Sequence, residues 1–178
     1  MTQTLALAAA VAILAGPTAA QDSAATASSG PSDAEIAHIA YTAGNIDIDA
    51  AKLALAKSTN ATVREFAQTM VRDHEAVNMQ ALALVKKLRV TPQANATSEV
   101  LTKQAAKAKQ RLSGLDGAAF DKAYAANEAA YHNTVNGALK TTLIPSADND
   151  ELKSLLETGL TLFGEHQKHA EHLASDLR

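Results

Sequence analysis

Asp47, Asp73, His74, Glu128, His132, His166 and His169 are the residues of this chain whose chemistry and spacing go together. Each falls on or beside a stripe of apolar side chains recurring at helical 3–4 intervals, where a polar group is out of place. Buried charge is costly unless it is paired or bound to a metal. Imidazole with carboxylate is a donor set that suits a divalent transition ion such as zinc, copper, iron or nickel. The same groups could instead bond to one another, a metal-free polar layer that fixes the register of packed helices. His166, His169 and His172 also follow one another at three-residue steps. Such neighbours could hold an ion at the surface, or simply favour the dipole at a helix C-terminus. His172 reads as rim and His38 as outside the bundle.

Four long helices must carry these groups. Pro31, Ser32 and Glu35 form a capping box that starts the first, and Ile36, Ala40, Ala43, Asp47, Ala50 and Ala54 extend it to about Lys57. After a break at Ser58–Ala61, Thr62 and Glu65 read as a second capping box. The stripe Val63, Phe66, Met70, Asp73/His74 and Val77 then runs on to about Arg89. Thr91–Pro92 ends it, and a shorter basic helix is expected over Glu99–Leu112. Gly114 and Gly117 bracket a turn in which Asp116 can cap. The third long helix runs from Gly117 to about Leu143, with Phe120, Tyr124, Glu128, Tyr131, Val135 and Ala138 on its stripe and Pro145 at its end. Asp148 and Glu151 cap the fourth, whose stripe is Leu152, Leu155, Gly159, Leu162, His166, His169 and Leu173. No useful period-two alternation occurs, so no strands are expected.

The connection Val90–Asp116 is far longer than an antiparallel hairpin needs and long enough to climb the whole bundle. Two hairpins joined by one such crossover give an all-α, ferritin-like four-helix bundle with a helical crossover between helices two and three. In that topology Asp47 and His74 lie about 21 Å up the bundle, Glu128 and His132 at about 17–23 Å and His166 at about 25 Å. They share one level. The di-iron pattern of such bundles, Glu on two helices and Glu-x-x-His on the other two, largely fails. Glu128 precedes His132 by four residues, His166 has no Glu three before it, and Glu35–His38 lies in a first turn off the stripe. No catalytic residue is assigned, and the reading leans away from an enzyme.

The 178 residues suit a single domain, and 40 alanines with only 3% aromatic residues favour helix over sandwich or barrel. The absence of cysteine excludes disulfides, thiolate sites, cysteine nucleophiles and a lipidated-cysteine anchor. A net charge of −3 gives no footprint for nucleic acid. The patch Lys103, Lys107, Lys109 and Arg111 is expected to solvate the crossover helix. Leu5–Gly16 is an apolar run too short to span a bilayer, followed by Thr18 and Ala20 at the positions of a cleavage before Gln21. Residues 1–20 therefore read as a signal peptide, without its usual Lys or Arg. Residues 21–32 read as a flexible linker and 33–178 as the folded domain. No transmembrane segment would remain after cleavage. There is no phosphate-binding glycine loop, Gly-x-Ser-x-Gly elbow or His-Glu-x-x-His motif.

The segments Phe66–His74, Phe120-Asp121-x-x-Tyr124 with His132, and Gly164-Glu165-His166-x-x-His169-Ala170 resemble the domain of unknown function 4142 family. So does an acid, Asp47, following Gly44-Asn45. The likeness covers about Asp33 to Leu177. It implies an exported bacterial protein of the ferritin-like superfamily, periplasmic or secreted, and supplies no reaction. Asp73, His74, Asp121, Tyr124, His132 and His166 are the motif positions that carry over, while Asp47 stands where many relatives have Glu. Asp121 and Tyr124 read as supports for the ligands or for helix register. The "outer membrane" label given to such proteins has no basis in these residues, although association with that membrane stays open, as does a homo-oligomer.

Overall fold

A computed structural model describes residues 30–177. The expected signal peptide and most of the expected linker lie outside the described residues. All regular structure within them is helical, and no strand occurs among them. No helix there is long and apolar enough to cross a membrane.

Helix α1 spans Asp33–Lys57, and its capping box forms as the sequence predicts: Ser32 Oγ accepts from the Glu35 amide, and Glu35 accepts from the Ser32 amide. Helix α2 covers Ala61–Leu88. Its cap is Asn60 rather than Thr62: the Asn60 Oδ1 accepts from the amides of Thr62 and Val63, at 3.0 and 3.3 Å. Helix α3 is Ala96–Ser113 and α4 is Gly117–Ala138. Asp116 precedes α4 without making a side-chain cap bond. Pro145 does not end the α4 run. The chain passes through a π-helical turn at Leu139–Leu143 and then a one-turn helix α5, Ile144–Ser146, whose first turn holds the proline. Helix α6, Asp150–Asp176, is capped by Asn149 and not by Asp148.

Hydrogen bonds at the helix ends fix their directions. Gln93 N–H donates to the Ala34 carbonyl and Asn95 Nδ2 to that of Glu35, so α3 starts beside the first turn of α1. Lys57 Nζ donates to the Ser113 carbonyl and pairs with Asp116 at 2.8 Å, so α3 ends and α4 starts at the far end of α1. The chain returns to the near end, where the Asp148 and Asn149 amides donate to the Asp33 carboxylate, each at 3.0 Å.

Two apolar clusters fill the interior. One joins Ala51, Phe66, Met70, Phe120, Tyr124 and Leu173 toward the far end. The other joins Ile36, Ile39, Leu139, Leu143, Leu152 and Leu156 toward the near end. The buried polar residues Asp47, His74, Glu128, His132 and His166 lie between them in the sequence of every long helix.

Candidate metal centre

Each of the four long helices brings a ligand-capable side chain into the gap between the two apolar clusters. Asp47 comes from α1, His74 from α2, Glu128 and His132 from α4 and His166 from α6, and all are buried. His74, His132 and His166 each present a ring nitrogen, and the three atoms lie within 4.8 Å of one another. Asp47, Glu128 and His132 form a second group under the same limit, so His132 joins both into one cluster. One oxygen of Asp47 is 3.4 Å from His132 Nε2 and 3.6 Å from His74 Nε2.

Hydrogen bonds decide which nitrogens are free to ligate. His132 Nδ1 is 3.0 Å from the Glu128 carbonyl oxygen, which can only accept. Nδ1 therefore carries the proton and Nε2 the lone pair. His166 Nε2 donates to Asp73 at 3.0 Å, leaving Nδ1 buried and unpaired. Asp73 is gripped from its other side by Arg72, at 2.7 and 3.1 Å. That guanidinium, followed by the His166 bond, holds the Asp73 carboxyl below its usual range. A carboxylate bonded to the distal nitrogen of an imidazole is the arrangement that orients histidine ligands in metal sites. Phe163 lies flat over His74, with ring centroids 4.6 Å apart and planes 6° from parallel. Both His74 nitrogens, both Asp47 oxygens, Glu128 Oε2, His132 Nε2 and His166 Nδ1 are buried without a hydrogen-bond partner. Native interiors rarely leave so many such atoms together.

Burial sets the charge state of the protein groups by themselves. It pushes Asp47 up to about 7 and Glu128 well above the usual carboxylate range, the Asp47 charge adding to the effect on Glu128. It pulls His74 down to about 3 and His132 down to about 4, and lowers His166. Once ionised, the two carboxyls would balance the charge of one dication, beside three imidazoles that already resist protonation. The dimensions agree. An ion equidistant from three nitrogens at the 4.8 Å limit would sit about 2.8 Å from each, against about 2.0–2.1 Å for a zinc–nitrogen bond. Inward shifts of less than about 1 Å close the difference, and the donor set fits zinc, copper or iron.

The remaining candidates fall around this cluster. Asp73 touches it through His166. Tyr124 is fully buried with its hydroxyl unpaired, and burial, with the Glu128 and Asp47 charges behind it, raises its phenol well above normal. Asp121 is buried with one oxygen unpaired but belongs to neither ligand group. His169 also belongs to neither: it is exposed and packs against the edge of the Phe66 ring at 5.0 Å. Its displacement follows from the phase of α6, where Ala170 and not His169 turns inward after His166. His172 is exposed as well. Arg72 and Phe163 were not marked by the sequence pattern. An arginine directly before the Asp73-His74 pair of the stripe is the sequence signal for the first.

No curated protein and no solved structure matches the chain. A family model described as a domain of unknown function does match, over residues 17–173, which takes in all five residues of the cluster. The chain belongs to that family, DUF4142.

Proposed function

We propose that this protein is an exported, ferritin-like helical bundle that holds one divalent transition ion, zinc, copper or iron, through Asp47, His74, Glu128, His132 and His166. The observation that carries the reading is the convergence of ring nitrogens of His74, His132 and His166 within 4.8 Å, with the tautomers of His132 and His166 set by bonds to the Glu128 carbonyl and to Asp73. His132 belongs to both ligand groups yet has a single free lone pair, which favours one ion over two. The ferritin-like reading is supported by the course of α3 along α1, which sends α2 and α4 in the same direction. Bound there, the ion would supply the positive charge that lets Asp47 and Glu128 ionise inside the fold. The chain's own part is to hold the imidazoles neutral, to fix their orientation through Asp73 and the Glu128 carbonyl, and to exclude water with Phe163. Holding the ion, without turnover of a substrate, is the role proposed.

Untagged protein recovered from an exporting host tests this. Elemental analysis should return about one ion per chain, a chelator should lower the melting temperature, and His132→Ala should remove the metal. The intact mass should begin at Gln21. A second reading, a metal-free layer that only sets helix register, draws on the preference of Asp47 and Glu128 for their neutral forms. Metal-free protein indifferent to added zinc, copper and iron would establish it in place of the first.

A further inference from the structure

On the near side of the cluster, toward the start of α1, the bundle encloses a cavity of about 550 Å3. His74, His132 and Phe163 form its inner end, and the wall beyond them is mainly aliphatic, including Ile39, Val135 and Leu156. The π-helical turn that follows α4 contributes Leu139 and Leu143, both buried, to this wall. Such turns recur at functional sites because an added residue re-aims side chains. Exposed members of the lining, among them Thr97, Val100 and Gln104 of α3 and Thr134 of α4, mark where the cavity meets solvent.

Polar groups of the wall are mostly spoken for. The Tyr131 hydroxyl donates to the Ala43 carbonyl at 2.9 Å, and Asn78 Nδ2 donates to Asn45 at 3.0 Å. The buried unpaired polar atoms bordering the cavity are nitrogens of His74 and His132, all at one end. Chamber and polar end together define a shape of ligand. At about 30 Å3 for a water- or methylene-sized group, the volume holds up to about 18 such groups. That is within the range of small-molecule sites.

We propose that this cavity binds a single linear aliphatic molecule with one small polar head, its chain among the aliphatic side chains and its head toward His74, both of whose ring nitrogens lack a hydrogen-bond partner. The proposal rests on the cavity and not on a bound ion.

Calorimetric titration of the full chain with n-alkanols from hexanol to dodecanol, before and after chelator treatment, tests it. One saturable site is expected, with affinity rising about three- to fourfold per added methylene across the series. Ala40→Phe and Val135→Phe place a ring in the chamber and should each weaken decanol binding at least tenfold, their folding being checked by circular dichroism. Binding that never saturates, that ignores chain length, or that survives unchanged in the folded filled variants overturns the proposal. Should neither variant fold, the length series on the unsubstituted chain decides alone. Saturable decanol binding in protein that takes up no metal would leave this proposal standing and defeat the metal reading. Stoichiometric metal without saturable decanol binding would do the reverse.

Discussion

Asp47→Asn separates the cost of the cluster from its use. Asp47 is 1% exposed, and burial raises its carboxyl from 3.8 to about 7. Below about pH 4 both folded and unfolded chains keep the proton and no penalty exists. As the pH rises toward 7 the unfolded chain ionises freely while the folded one resists, so stability is lost across that window. The full loss is about three pKa units, or about 4 kcal/mol, shared with Glu128 as a pair. The histidines oppose this. His74 and His132, held near 3 and 4, cannot take the protons an unfolded chain binds below 6.5, so they cost stability as the pH falls. That contribution is common to both proteins and cancels to first order in their difference. Urea unfolding of chelator-treated protein from pH 4 to pH 8 should therefore give a difference curve that climbs in favour of Asp47→Asn by up to about 4 kcal/mol. Any pH-independent effect of the amide shifts the curve without changing its slope. Adding zinc should narrow the difference. At a hundredfold excess over Kd the unsubstituted chain gains about 2.7 kcal/mol, and the variant, short of one ligand, gains much less. A difference curve flat within about 1 kcal/mol would refute the claim that this carboxyl is held in its neutral form by burial.

Two further substitutions probe the surroundings. Asp73→Asn removes the anion that orients His166 while leaving the ring in place; metal affinity should fall about 10- to 100-fold in a competition titration, and an unchanged affinity would contradict the orienting role. Phe66→Ala empties a fully buried position packed edge-on against Tyr124 and His169, and should cost about 3–5 kcal/mol in urea unfolding; a loss below about 1 kcal/mol would mean that the far-end cluster is not a packed core.

Period and polarity made much of this legible from sequence. Ser32 and Glu35 are separated by an unambiguous spacing after a proline, and both bonds of the box form. At the second helix two cap-competent residues compete. Ser58 N–H bonds back to Ala54, closing α1, which leaves Asn60 as the extended residue that can reach two amides. Asp148 stands one residue too early: Asn149 is the extended residue directly before α6, and its side-chain oxygen reaches the Glu151 and Leu152 amides. Asp47, His74, Glu128, His132 and His166 are buried, as their place on apolar stripes predicts, and the cost of burying such groups is written in the sequence. His169 stands three residues after His166, where α6 takes a four-residue step to the buried Ala170, as it does from Leu152 to Leu156. The π-helical turn has no comparable local signal, and the cavity it lines is a void between helices, which only packing reveals.

The Asp33 carboxylate has a mechanical consequence. It belongs to the first residue of α1 and grips the backbone that opens α6, so the start of the domain is clasped to its last helix. A pull arriving from residues ahead of Ser32 is thereby shared between α1 and α6 at once. Stretching the chain from that side must shear this clasp before α1 can peel away.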